Sequence, residues 1–265
     1  MKIVVCIKQV PDTEAEVKWD LQKGTLKRED MDAITNPFDE FALEEALLTK
    51  EKYDAEIVAV SMGPQKATDV LRNALALTVD EVHHVSDPAL AGSDTLATSY
   101  ALAKAIEKIG NVDLVLCGKQ ATDGNTGVVA SELAVRLGYS QLTFVGKIVE
   151  IDAANKKIKV ERNIEGGIEV VEAKLPAVVS VLKGINEPRL PNLMGIRKAA
   201  KVQIPVWDTN EIGAAKEKVG AEGAAIKVIE LTTPPPRLRG EMLEGEVDEV
   251  SNLLVEKLLG LKVIK

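Results

Sequence analysis

The sequence predicts an α/β protein: a doubly wound parallel sheet with an additional antiparallel strand region and a C-terminal arm. Three observations lead there. In the first half of the 265 residues, short continuous apolar runs alternate with longer runs of helical period. That is the pattern of strands buried on both faces and joined by crossover helices. The core must be aliphatic, because 46% of residues are hydrophobic but only 3% are aromatic, and Val, Leu, Ile and Ala are what a buried parallel sheet packs. In the second half the period shortens to that of strands joined by tight turns.

The elements follow in order. KIVVCI (2–7) is the first strand. PFDEFALEEALLTKEK (37–52) is a helix, with Asn36 as N-cap candidate and Pro37 preset for the first turn. EIVAVSM (56–62) is the second strand, and Gly63-Pro64 turns into a helix over 65–77. EVHHV (81–85) is the third strand. His83 and His84 are adjacent on it and face opposite sides, one expected buried and one exposed, so they cannot chelate one metal without distortion. Asp94 or Ser93 caps a helix over 95–110, VDLVLC (112–117) is the fourth strand, and Thr126 or Asn125 caps the helix after it. Right-handed crossovers join such strands into a parallel sheet.

The later segments LTFVGKIVEID (142–152), KKIKVERNI (156–164), GIEVVEA (167–173) and PAVVSVL (176–182) read as antiparallel strands joined by turns such as AAN and EGG. GINEPRLPNLMGIRKAA (184–200) reads as a long loop with two prolines. LTTPPPRLRGE (231–241) cannot be regular structure, because its three prolines remove donors and fix φ. A last helix begins near Asp248 with Val250, Leu253, Leu254 and Leu258 on one face. It folds back on its own domain or packs on another subunit. The expected division is an α/β domain over 1–225 and a proline-tethered arm and helix over 226–265.

Doubly wound sheets bind ligands beyond the carboxyl ends of their strands, where the strand order reverses. With the order 3-2-1-4 that point lies between strands 1 and 4, in a Rossmann-like nucleotide-binding arrangement. The loops there are IKQVPDT (7–13) and GKQATDGNTG (118–127). The second is neither GxGxxG nor GxxxxGK[ST], yet it is a strand-to-helix turn of glycines, hydroxyls, an Asp and an Asn. Gly124 and Gly127 let the backbone approach a phosphate closely, and N–H groups at a helix start attract anions. Asp123 is placed to accept hydrogen bonds from a ribose or from backbone amides. The alternative is a structural turn with routine caps. Lys8 either sits near a phosphate or is solvated. SDTLATS (93–99), which holds Asp94 and Thr95, either meets an anion at a helix N-terminus or caps in the ordinary way.

Bulk properties exclude several classes. A net charge of −8 with a pI near 5.1 argues against nucleic acid, whose phosphates need a basic face. Cys6 and Cys117 lie in or at the end of apolar runs and read as buried, reduced thiols of a cytoplasmic protein. MKIVVCIKQV is interrupted too soon for a signal peptide, and no apolar run approaches the ~18–20 residues of a membrane span. There is no CxxC, no HExxH and no Ser/His/Asp order. A pocket without an evident nucleophile or acid–base pair points to a carrier or binding module more than to an enzyme acting on a nucleotide. Leu190, Leu193 and Met194, set between and after prolines, suggest either a partner contact or apolar residues tucked under the loop.

These pieces together resemble the beta subunit of electron transfer flavoproteins over nearly the whole chain. The markers are KQVPDT, TNPFDEFALEEAL (35–47), VSMGP (60–64), LVLCGKQATDGNTG, LPAVVSV (175–181) and NEPRLPNLMGIRKA (186–199). The resemblance implies a heterodimer with an alpha subunit that binds most of a mobile FAD, and electron transfer between a flavin dehydrogenase and an acceptor. It implies an adenine nucleotide in this chain: AMP with a structural role in many members, or, in electron-bifurcating members, a second FAD reduced by NADH. The family's nucleotide contacts map onto Cys6, Asn36, Pro37, Phe38, Asp39, Met62 and the loop Gly118, Lys119, Gln120, Ala121, Thr122, Asp123, Gly124, Asn125, Thr126, Gly127, Val128 and Val129. Phe38 also falls where the family places an aromatic near the alpha-subunit flavin. The family's docking loop maps onto Asn186, Glu187, Pro188, Arg189 and Leu193, within 184–197. KQVPDT and SDTLATS resemble the bifurcating members, which usually carry a Gln where this chain has Val128. A stand-alone nucleotide-binding sensor of related fold is the rival from another class.

Overall fold

The computed structural model describes residues 1–12, 19–20, 25–26, 33–229 and 240–264. The chain divides into two units, Met1–Ile229 and Glu230–Lys265. In the first unit the elements run β1 (Lys2–Cys6), β2 (Gln9–Pro11), β3 (Trp19–Asp20), β4 (Thr25–Leu26), β5 (Ala33–Thr35), α1 (Pro37–Tyr53), β6 (Glu56–Met62), α2 (Thr68–Ala76) and β7 (Glu81–Val85). Then come α3 (Thr95–Ile109), β8 (Leu114–Gly118), α4 (Val129–Leu137), β9 (Ser140–Asp152), β10 (Lys157–Ile164), β11 (Gly167–Lys174) and β12 (Ala177–Val181). α5 (Leu193–Ala199), β13 (Val206–Trp207) and the single turn α6 (Gly220–Gly223) close the unit.

One nine-stranded sheet carries the order β11-β10-β9-β12-β8-β1-β6-β7-β13. The expected 3-2-1-4 order is therefore present as β7-β6-β1-β8, all parallel, with Cys6 opposite both Val60 and Cys117. The wholly buried runs of β1, β6 and β8 are apolar on both faces because helices cover both. On one face Val5, Ile57 and Leu116 pack with Ala42, Leu43 and Leu47 of α1 and with Leu71 of α2. On the other, Val4, Val58 and Val115 pack with Leu102 and Ile106 of α3 and Leu133 of α4. Each fully buried aliphatic side chain adds about 1.5–3 kcal/mol of transfer free energy. The helices change face between the β1–β6–β7 run and β8, which sets the switch point at β1 and β8.

Four expectations are corrected. PAVVSVL is not antiparallel: β12 inserts between β8 and β9, parallel to both. Its five residues are all buried, so it needs neighbours on both edges and cover on both faces. Only β9, β10 and β11 form the antiparallel extension. The segment 184–200 is not wholly loop, because α5 begins after Asn192, whose side chain accepts a hydrogen bond from Gly195 N–H at 2.7 Å. Both histidines are buried rather than one: His83 is 6% exposed and His84 not at all. β13 adds alongside β7 and lays Trp207 on the His83 ring at 3.7 Å, while His84 Nε2 meets the Gly63 carbonyl at 3.0 Å. The fourth correction concerns helix caps. Neither Thr126 nor Asn125 caps α4, whose N-cap is Val128 with no side-chain bond; Asn36 does stand at the N-cap of α1 as expected, but its side chain makes no capping bond.

The second unit contains α7 (Val247–Gly260), held by an ion pair from Lys257 to Glu241 at 2.7 Å. Residues 230–239 of the proline segment, and Thr13 of the first loop, lie outside the described residues. Among the described residues no helix is long and apolar enough to cross a membrane.

Candidate nucleotide site at the sheet switch point

The site is assembled where β1 and β8 end. Beyond β1 the chain presents Lys8; beyond β8 it runs through Gly118 to Val128 before α4 starts. Lys8 Nζ bonds both oxygens of Asp123, at 2.7 and 2.8 Å, so the two loops are joined across the switch point. The Asp123 carboxylate is 5% exposed and the Lys8 ammonium 40%. The pair is neutral as a whole, and Asp123 therefore does not repel an anion from this loop.

Asn36 supplies a second join. Its side-chain amide donates to the Gln120 carbonyl at 2.9 Å and its oxygen accepts Thr122 N–H at 3.2 Å. Its own N–H donates to the Lys8 carbonyl at 2.8 Å. Asn36 stands at the N-cap of α1, but its side chain makes no capping bond because the amide is engaged with the loop and with Asp39. Within the loop, Gln120 bonds Asn125 at 2.9 Å, and Asn125 N–H reaches the Ala121 carbonyl at 2.8 Å. Asn125 and Gly127 take positive φ, +52° and +66°.

Asp39 lies beneath, in the first turn of α1. Its carboxylate accepts Lys8 N–H at 2.8 Å and Gly118 N–H at 3.1 Å. Burial raises its pKa to about 7, against the lowering effect of the Asn36 side chain, the two N–H groups and the Lys8 charge. Gly118 is required here, since a Cβ would stand 2.5 Å from Asp39 Oδ1 and 2.7 Å from Phe38 Cβ. Cys6 and Cys117 are buried side by side. A hydrogen bond to Cys6, together with burial, raises the Cys117 thiol well above its usual range. Met62 ends β6 beside Cys6's strand and is partly buried in the same cluster as both cysteines.

Toward solvent the loop is open. Gly124, Asn125, Thr126 and Val128 are exposed, and a Cβ on Gly124 would meet nothing within 4 Å. Among the described residues no side chain caps α4, which leaves its first-turn N–H groups available to an anion.

Asp94 and Thr95 do not join this cluster directly. Asp94 caps α3 through Ala97 N–H at 2.9 Å, and its other oxygen accepts Ala225 N–H at 2.8 Å and Ile226 N–H at 3.0 Å. Burial opposes its ionisation, yet these N–H bonds together hold its pKa below the usual value. Thr95 reaches α4 instead, donating to Glu132 at 3.0 Å. Sequence reasoning missed Glu132, whose second oxygen is buried without a hydrogen-bond partner, and Phe144, half-exposed at φ +56° with Lys119 Nζ 5.6 Å from its ring. Neither residue carries a signal in sequence period or motif.

The segment 186–199 is held from α1. Arg189 grips Glu44 by Nε and Nη2 at 2.7–3.0 Å and Glu51 by Nη1 at 2.6 Å. Asn186 bonds the Phe41 carbonyl at 3.0 Å and Glu45 at 2.9 Å. Asn186 and Arg189 thus face inward as anchors, while Leu190, Leu193 and Met194 are 90%, 64% and 82% exposed. Gly195 sits against α2, where a Cβ would fall 2.2 Å from the Ala76 carbonyl oxygen.

Comparison with known proteins agrees with this architecture. An electron transfer flavoprotein domain matches residues 23–212. The chain is 42% identical over 274 residues to the electron transfer flavoprotein subunit beta of Megasphaera elsdenii, covering 100% of both chains. It is 43% identical over 258 residues to protein FixA of Azotobacter vinelandii, covering 96% of this chain and 92% of that one. It is 42% identical over 260 residues to the caffeyl-CoA reductase-Etf complex subunit CarD of Acetobacterium woodii, covering 97% and 98%. With a parallel sheet in the order its motifs require and relatives matched end to end, the chain belongs to the electron transfer flavoprotein family, among its beta subunits.

Proposed function

We propose that this chain pairs with an alpha subunit and carries electrons between a flavin dehydrogenase and an acceptor, with an adenine nucleotide held at the switch point of its own sheet. The nucleotide we assign is FAD, and the electron source NADH, in flavin-based bifurcation. One observation carries the site: the Lys8–Asp123 bridge, 2.7 Å, locks the two ligand loops together and neutralises the acidic one. The residues fit a nucleotide. The uncapped first turn of α4, the open backbone at Gly124 and the positive φ of Gly127 suit phosphates. Cys6, Met62 and Cys117 offer a small apolar floor.

FAD, when bound, supplies the redox chemistry; the chain supplies position and polarity. Support for FAD over AMP comes from KQVPDT and SDTLATS and from the likeness to a subunit of the caffeyl-CoA reductase-Etf complex. At Val128, where a Gln side chain is absent, backbone N–H groups of α4 take its part. The platform formed by α5, with Leu190, Leu193 and Met194 outward, is the surface we assign to dehydrogenase docking. Leu193 is the inserting residue, and Asn186 and Arg189 hold the platform in place.

The test is a count of FAD and AMP released on denaturing the purified heterodimer. Two FAD per heterodimer with no AMP is the expected result. One of each makes the nucleotide of this chain structural and sinks the bifurcation reading. A folded heterodimer whose beta site releases no nucleotide overturns the site itself.

A further inference from the structure

The first turn of α1 places one carboxyl group where it governs the spacing of the two ligand loops. Asp39 reaches from α1 to the strand ends on both sides of the switch point: Oδ2 accepts Lys8 N–H and Oδ1 accepts Gly118 N–H. It is 6% exposed. We propose that Asp39 is a proton-sensitive positioning residue: ionised, it holds the ends of β1 and β8 in the register that receives the nucleotide, and protonated, it loosens them and weakens nucleotide binding. This rests on the nucleotide reading of the site and adds its regulation by pH.

An ionised carboxylate accepts on both oxygens, whereas a protonated one turns one oxygen into a donor. Here both oxygens face N–H donors. A proton must therefore displace or weaken one of the two bonds. The midpoint near 7 puts this change in the physiological range. Among the described residues the groups facing Asp39 are few. From the loop after β1 there is Lys8, whose ammonium is already paired with Asp123. From β8 there is the Cys117 thiol, itself hydrogen-bonded to Cys6. From the segment before α1 there is the neutral Asn36 amide. His83 and His84 are engaged elsewhere, with Glu81 and Trp207 and with Gly63.

The experiment titrates FAD into the nucleotide-free full chain between about pH 5.5 and pH 8.5 and reads Kd. FAD is chosen because both phosphates of its pyrophosphate diester stay ionised over that range, so its charge does not change. The expected Kd is about tenfold higher near pH 6 than near pH 8, since one proton must leave on binding, and Asp39→Asn should bind more weakly with a flat profile. Wild type and variant sharing the same slope overturns the proposal and leaves the nucleotide site standing. A wild type that binds neither FAD nor AMP at any pH overturns both. Should Asp39→Asn fail to fold, the amide proton shifts of Lys8 and Gly118 in the wild type decide. The expected result is that both move together with a midpoint near 7, and no common titration refutes the coupling.

Discussion

Replacing Arg189 by Met tests how the α5 platform is held. The Glu44 side chain is 6% exposed and takes two guanidinium donors from Arg189, with a further bond from Arg189 N–H at 3.1 Å. Removing one partner of a buried ion pair costs about 3–5 kcal/mol, because the other charge stays desolvated. Two features lower that figure here. The Arg189 side chain is 37% exposed, so water screens the pair and can reach the abandoned carboxylate. The backbone N–H of residue 189 survives the substitution and still serves one oxygen. The Glu51 bond adds little, since that carboxylate is 59% exposed. We therefore expect a loss of about 2 kcal/mol in urea unfolding, together with faster amide exchange across 189–199. Adding Glu44→Leu should cost less than the sum of the single changes, because the stranded charge is then gone. A single-variant loss below about 0.5 kcal/mol, or strict additivity in the double variant, would refute the reasoning.

Two further outcomes are expected. Gly118→Ala must displace Asp39 or the start of α1, because its Cβ would stand 2.5 Å from Asp39 Oδ1 and 2.6 Å from the Phe38 carbonyl carbon. It should cost about 1–3 kcal/mol in urea unfolding and weaken nucleotide binding, and an unchanged unfolding midpoint would contradict the close packing described. The second outcome is a pH slope of stability. Asp39 has its pKa raised from 3.8 unfolded to about 7 folded, so between those values the folded chain holds a proton that the unfolded chain has lost. Its contribution is therefore neutral below about 3.8 and becomes an increasing destabilisation as pH rises to about 7, on the order of 4 kcal/mol in all. Asp39→Asn removes that slope, so the wild-type minus variant stability should fall with rising pH. Parallel curves from urea midpoints would show that the carboxyl does not titrate in this window.

The sequence alone carried the architecture that places the site. Continuous apolar strands, helical periods and turn residues are local signals, and they put β1, β6, β7 and β8 in order and α1 to α4 between them. The two loops at the switch point were legible for the same reason: polar, glycine-containing turns after apolar strands stand out. Family motifs added the residues Asn36 to Asp39, but not what each does. Composition and period placed Asn36 at the N-cap of α1 but could not show that its side chain bonds the Gln120 loop instead of the helix N–H groups, because the two uses compete for one amide and only the folded distance decides. They could not show that Asp94 is consumed by Ala97, Ala225 and Ile226, the last two of which lie over 130 positions away.

The misreadings share a cause. PAVVSVL resembles any buried strand, and its direction depends on which neighbours it reaches. His83 alternates correctly but is covered by Trp207, from an edge strand two residues long. α5 hides in a proline-flanked segment because it is stabilised from outside itself, by Gly195 against α2, Arg72 on its last carbonyls and the Arg189 anchor before it. The sequence by itself determined which segments are strands, which are helices and where polar loops interrupt them, since those depend on neighbours a few positions apart. Only the tertiary structure decided that Lys8 finds Asp123 and that Asp39 ties two strand ends, because contacts across 115 and 79 positions exist only once the sheet is closed.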